Sequence, residues 1–186
     1  MQRIRPRHMP PLRDDGPDAG HTILSDGTTA LLRIAQPGDA DELQRFVERL
    51  SPAATRHRFF SETAPPAEVI RALCDASQPQ RCLTVLVLRR QDDALHIIAS
   101  GSYHARGPHE AEVAMAVDDR LHGHGLGTIL LERLALLAIR HGFTKLWAIT
   151  HADNLAMREV FATSGFTMKE LLDGADMEVE LSLTPT

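Results

Sequence analysis

Hydrophobic and polar positions along this chain switch between two periods, and the switches mark out its elements. Residues 28–34, TTALLRI, read as a strand introduced by the turn pair Asp26-Gly27. Pro37-Gly38-Asp39 then opens a helix to about residue 50, with Ala40, Leu43, Phe46, Val47 and Leu50 spaced for one buried face. Ser51-Pro52 starts a short helix over AATRHRFF, with Ser51 as N-cap, and Pro65-Pro66 opens a third to about residue 76. The apolar, β-branched run RCLTVLVLRR at 81–90 is a strand, and Gln91-Asp92-Asp93 turns it into a second over 94–104. A third strand, 111–117, follows the turn at Arg106-Gly107-Pro108. Then come a glycine-rich turn, a long apolar helix from 129 to about 140, a strand at 144–150 and a helix over 155–164 ended by Gly165. The last hairpin pairs 166–172 with 177–183 across Asp173-Gly174.

The order is β, helices, β, β, β, α, β, α, β, β, without the regular alternation of a doubly wound sheet. It predicts an α+β fold, a mixed, mostly antiparallel central sheet flanked by helices. One domain is expected over residues 25–186, behind a flexible tail over 1–24 that is rich in Pro, Gly and charge.

Composition narrows the function. With 186 residues, 43% of them hydrophobic, the chain can bury the core of one domain. A net charge of −5 without clustered Lys and Arg argues against a nucleic-acid binder. No apolar run approaches the roughly 18 residues of a membrane span, so no membrane association is expected. Only Cys74 and Cys82 are present, which makes a disulfide framework unexpected and a cytoplasmic location the reading. Ten histidines invite a metal, but His104, His109, His122 and His124 have no Cys or paired carboxylate at ligand spacing, and no metal is expected.

The chemistry concentrates in EAEVAMAVDDRLHGHGLGT, residues 110–128. Its glycines at 123, 125 and 127 feed a helix N-terminus, where free backbone N–H groups and the helix dipole favour an anion, a diphosphate especially. The spacing fits neither the dinucleotide fingerprint G-x-G-x-x-G nor a P-loop, which needs a lysine before the Thr. The alternative is a turn whose glycines serve tight packing.

The set His122-Gly123-His124-Gly125-Leu126-Gly127, then Asn154, then Gly165-Phe166, resembles the acetyl-CoA-binding core of the GNAT superfamily of N-acyltransferases. That family carries Q/R-x-x-G-x-G/A in the turn, an Asn opening the next helix and a Gly-Phe after it. Upstream, LLRIAQPGDADELQRFVERLSPAATRHRFFS is similar to the first half of Pat-type protein lysine acetyltransferase domains. His122 departs from the family's Gln or Arg; a register starting at Arg120 keeps an arginine but moves Gly127 and Thr128 away from the converging amides.

The resemblance implies acetyl-CoA as cosubstrate. Its diphosphate is expected on His122, Gly123, His124, Gly125, Leu126, Gly127 and Thr128, and its pantetheine arm along Met115, Ala116 and Val117 as an added strand would lie. Asn154 either contacts CoA or caps its helix, a role for which Asp153 competes. Phe161 stands where many members carry a tyrosine near the CoA sulfur, and it has no proton to give. Tyr103 is assigned to packing, and thiolate departure either to water or to no assistance, since a CoA thiol is already a good leaving group.

Strand alternation puts Glu110, Glu112, Ala114 and Ala116 on one face. Glu112, beside small residues and at the position where Pat-type enzymes carry a glutamate, is the candidate general base, with Glu110 the runner-up. A base is needed because an amine of pKa near 10.4 is mostly charged at neutral pH, and removing its proton costs roughly 4.6 kcal/mol. Arg56, His57 and Arg58 with Phe59-Phe60 either line the acceptor side or pack. The expected activity is direct acetyl transfer to a primary amine, foremost the lysine side chain of a protein substrate. A small-molecule amine and a non-catalytic acyl-CoA-sensing module are the alternatives, and a homodimer is left open.

Overall fold

The apolar run after residue 81 builds the centre of the fold. β3 (Cys82–Gln91) and β4 (Ala94–Ala105) form a hairpin in which all of 83–88 is buried. A strand covered on both faces reads as a continuous apolar run rather than an alternation. Its turn is Asp92-Asp93, both with positive φ (48° and 64°), the backbone twist a two-residue hairpin favours.

The computed structural model describes residues 20–183. Around the hairpin lie β1 (Gly20–Ile23), β2 (Thr29–Ile34), α1 (Ala40–Arg49), α2 (Pro52–Phe59), α3 (Ala67–Leu73), β5 (Glu110–Val117), α4 (Leu126–Arg140), β6 (Lys145–His151), α5 (Leu155–Thr163), β7 (Thr167–Asp173) and β8 (Asp176–Ser182). The strands form one sheet in the order β1-β2-β3-β4-β5-β6-β8-β7. Every neighbouring pair is antiparallel except β5 and β6, which are parallel and joined by the α4 crossover. The mixed, mostly antiparallel α+β sheet read from the sequence is the fold observed.

Two apolar layers sandwich the sheet. α4 supplies Leu130, Leu131, Leu134, Leu137 and Ala138, each fully buried, to a core shared with Val113, Met115, Leu146 and Val179. On the other face, Leu43, Phe46 and Val47 of α1 and Ile70 and Leu73 of α3 close over Leu86, Leu88, Ile97 and Ala116. Both faces of the β3–β5 region are thus covered. The α1–α3 layer ends near β5, which leaves β6 and β8 with one face less enclosed.

Two boundaries differ from the sequence reading. Residues 1–19 lie outside the described residues, but Gly20–Ile23, placed in the expected tail, pair antiparallel with Thr29–Leu32 as an edge strand. Four residues with half their side chains exposed carry too little pattern to show as a strand. The long helix begins at Leu126 rather than 129, because Gly127 and Thr128, read as turn, are already helical.

Gly101 on β4 shows how closely α4 is seated. A Cβ there would lie 2.8 Å from Leu134 Cδ1 and 2.9 Å from Met115 Cγ. Gly101→Ala is expected to cost about 1–3 kcal/mol through overpacking, read as a lowered urea midpoint. An unchanged midpoint would show that the α4 seat is slack.

Candidate active site

The parallel pairing between β5 and β6 lasts three positions. Glu110 meets Lys145, Ala111 meets Leu146 and Glu112 meets Trp147, and there the ladder stops. β5 continues to Val117 beside β4, and β6 continues to His151 beside β8, so the two strands part. A cavity of about 330 Å3 occupies the gap. Met115, Ala116 and Val117 line it from β5; Asn154, Met157 and Val160 line it from α5.

The glycine turn closes one end. His122, Gly123, Gly125, Leu126, Gly127 and Thr128 all line the cavity, whereas His124 does not. The three glycines answer to different constraints. Gly123 and Gly125 both have φ +77°, with nothing within 4 Å of a would-be Cβ, so conformation alone selects them. Gly127 sits within the first helical turn, where a Cβ would meet Val160 Cγ2 at 2.7 Å. It permits the contact between α4 and α5. The first carbonyl of the helix to be used is that of Gly125, which accepts from Ile129 N at 3.0 Å. The amides of residues 126–128 precede it, unpaired within the helix and on the positive end of its dipole.

Asn154 and Phe161 take up positions that the sequence left open or misjudged. Asn154 caps α5: its Oδ1 accepts from Met157 N at 3.2 Å and its Nδ2 donates to Thr150 Oγ1 at 2.9 Å. It also lines the cavity, through a residue only 9% exposed. Phe161 is 1% exposed, packs in the α4 core and does not line the cavity. Its place against CoA came from the resemblance; α5 turns Met157, Val160 and Thr163 to the gap instead.

At the point of divergence the two strand glutamates differ in their engagement. Glu110 accepts from Trp147 Nε1 at 3.0 Å and lies 3.7 Å from Lys145 Nζ. The carboxylate of the half-buried Glu112 has no hydrogen bond or ion pair among the described residues. It faces the side of the sheet on which α2 packs. Nearby, the buried Arg58 donates to Ser102 Oγ at 2.6 Å. Burial pushes its guanidinium down to about 10, and Cys82 and Glu112 act electrostatically in the opposite direction. Ser102 in turn lies 3.2 Å from His104 Nε2, and burial followed by Arg58 holds the His104 imidazole below its ordinary range. Further along this face, Arg106 stacks over Trp147 at 5.2 Å and pairs with Glu178 at 2.9 Å, and Lys145 pairs with Glu180 at 3.3 Å.

From α2, Ala54 and His57 also reach the cavity. Their spacing of three puts them on one helical face, a signal present in the sequence but not decisive for so short a helix. Among the described residues, no group of His, Cys, Asp and Glu is placed to hold a metal ion, and no helix is long and apolar enough to cross a membrane.

Comparison with known proteins agrees with this arrangement. The model of the acetyltransferase (GNAT) family matches residues 46–166, which span β5, the glycine turn and α5. An acetyltransferase of Pseudomonas aeruginosa is 31% identical over 146 residues, 77% of each chain. The crystal structure of the GNAT domain of Streptomyces lividans PAT superposes with a TM-score of 0.77 at 25% identity, over 88% of this chain and 96% of that one. The yncA protein of Salmonella typhimurium, solved with its cofactor acetyl-CoA, shares the fold at 17% identity and a TM-score of 0.67, over 84% and 95% of the two chains. The chain belongs to the GNAT family and is an N-acyltransferase. As an acetyltransferase of that family it uses acetyl-CoA, and the cleft fits that cosubstrate: a narrow gap for a linear arm, ending in unpaired amides for a diphosphate.

The two kinds of glycine separate by experiment. Gly125→Ala forces a side chain into a left-handed cap at a cost of about 1–2 kcal/mol, with open space around it, so acetyl-CoA affinity should fall several-fold in a folded protein. Gly127→Val should instead push α5 away through Val160 and lower the thermal midpoint. Calorimetric titration and a melting curve on both variants check this, and equal effects of the two would contradict it.

Proposed function

We propose that this protein transfers the acetyl group of acetyl-CoA to the side-chain amine of a protein lysine, with Glu112 as general base. The observation that carries the reading is the unengaged carboxylate of Glu112 at the last paired position before β5 and β6 part. Glu110, two residues earlier, is already engaged by Trp147 and Lys145.

The diphosphate would rest on the amides of 123–128, supported by the dipole of α4. The pantetheine arm would lie along Met115–Val117, where β5 has lost its β6 partner and its backbone can pair with a linear ligand. The thioester would then lie toward Glu112. The carboxylate takes a proton from the incoming ammonium, and the neutral amine attacks the carbonyl. A backbone N–H of β5 holds the oxyanion. Asn154, both of whose polar ends are already bonded, serves by fixing the start of α5 against the arm.

The acceptor would approach across the exposed face of β6 and β8. Glu178 and Glu180 pair with Arg106 and Lys145 there, and Asp176 stands 47% exposed. Such a surface, open and net acidic together with Glu110 and Glu112, suits a lysine presented by a protein rather than an enclosed small amine. The resemblance of residues 31–61 to Pat-type protein lysine acetyltransferase domains supports the same acceptor class.

Glu112→Gln is expected to lower kcat by about 10²–10⁴-fold while leaving the affinity for acetyl-CoA unchanged. Turnover would be followed by thiol release, and acetyl-lysine on candidate proteins by mass. Full turnover in the variant would remove Glu112 from the mechanism; acetylation of free amines but of no protein would replace the acceptor.

A further inference from the structure

Acetyl transfer moves two protons, and Glu112 accounts for one of them. Once the neutral amine has attacked, the tetrahedral intermediate carries a surplus proton on nitrogen, while the departing sulfur needs one. Phe161 is buried in the core and has none to give. Among the side chains lining the cavity, the ionisable ones are His57, His122 and Glu159. His122 belongs to the glycine turn, its Nε2 3.2 Å from Val117 O, and Glu159 adjoins the Val160 that packs on Gly127. Both lie at the diphosphate end.

His57 lies elsewhere. It projects from α2, which packs on β5, and its ring centroid is 5.4 Å from that of His151 at the end of β6. It therefore lines the cavity from the α2 side, close to the end of β6. Its Nε2 is buried without a hydrogen-bond partner, 3.8 Å from Asp153 Oδ1. A neutral ring with its proton on that nitrogen, toward Asp153, leaves the Nδ1 lone pair for the cavity. Burial first, then His151, hold this imidazole below its ordinary value of 6.5; Asp153 opposes them and Arg56 adds to them. His151 is itself tied to Asp176 at 2.8 Å, and Phe60 lies 5.5 Å from its ring. The next residue on α2, Arg58, is turned away to Ser102.

We propose that His57 is a second catalytic residue, whose Nδ1 takes the surplus proton from the nitrogen of the tetrahedral intermediate and delivers it to the CoA sulfur. The proposal rests on the acetyl-CoA reading of the cavity. Glu112 removes the first proton from the ammonium and releases it to solvent. The C–N bond forms, His57 accepts the second proton, and the C–S bond breaks as His57 returns that proton to sulfur. His57 ends neutral, and the products are the N-acetylamine, the CoA thiol and one proton. A group that must accept before it donates has to rest neutral, and an imidazole held below its usual range does so at neutral pH. The return is downhill, because an ordinary thiol has a pKa near 8.5.

The test is kcat and KM across a pH series for the wild type, His57→Gln, Glu112→Gln and His151→Gln. His57→Gln should lower kcat by about 10²-fold with KM for acetyl-CoA unchanged. Calorimetric binding of acetyl-CoA to this variant shows that it is folded. The wild type and Glu112→Gln should both lose activity on an acid limb below 6.5, where the imidazole becomes charged and can accept no proton. That limb should vanish in His57→Gln. In His151→Gln, which lacks the neighbour that depresses His57, the limb should move to higher pH. Full kcat in His57→Gln, or a reduced kcat with the limb intact, overturns the proposal. Full kcat in Glu112→Gln with the limb lost in His57→Gln would remove Glu112 and leave His57 standing.

Discussion

The parallel contact between β5 and β6 governs this structure, and its shortness is the point. Two parallel strands need a crossover, and α4 supplies it, lying on the sheet with a largely apolar surface that also buries Thr128, Glu132 and Arg133. β6 is then claimed along its whole length by β8, from Lys145↔Ser182 to His151↔Asp176, while β5 is held as fully by β4. Each strand follows its antiparallel partner, and after Glu112↔Trp147 the twist carries them apart. Backbone groups that a longer ladder would have used remain free in the gap. The cleft is a consequence of strand pairing, and it needs no loop insertion to create it.

The same geometry explains why the turn and α5 are so constrained. The amides at the start of α4 can face the gap because the chain leaves β5 through a left-handed Gly125. α5 can close the far wall because Gly127 lets Val160 come within a distance that no Cβ would allow. A run of alternate glycines thus combines a conformational requirement at two positions with a packing requirement at the third. A sequence shows the spacing but not this division of labour.

Much of the fold was legible, for physical reasons that differ by element. Alternation in EAEVAMAV fixed the two faces of β5, and the burial of Ala111, Val113 and Met115 against α4 follows it. The unbroken run 83–88 read as a covered strand because it is covered on both sides. Gly20–Ile23 escaped notice because an edge strand of four half-exposed residues has neither periodicity nor apolar content. Asn154 and Asp153 cap equally well by residue type, and only the approach of Met157 N decides between them. Phe161 shows the limit of resemblance: a position in a motif does not reveal which way a helix turns its side chain, and a phenylalanine is drawn to the core.

The placement of charge completes the argument. Arg58 is the buried cation of the α2 layer, and an uncompensated guanidinium in such a place would be costly. Its supports are the hydroxyl of Ser102, the ring of Phe59 at 4.8 Å and, electrostatically, Cys82 and Glu112. Burial pushes the Cys82 thiol up, and Glu112 is the carboxylate of that set. The carboxylate at the last paired position of β5 is therefore coupled electrostatically to the helix that also carries His57. α2 is short, its ends set by the Ser51 cap, which accepts from Ala54 N at 3.2 Å, and by the left-handed Phe60. In eight residues it sends Ala54 and His57 to the cavity and Arg58 to the polar cluster below Glu112. A shift of this one helix would disturb the cavity and the carboxylate together, which is the physical reason to treat the two halves of the candidate site as one unit.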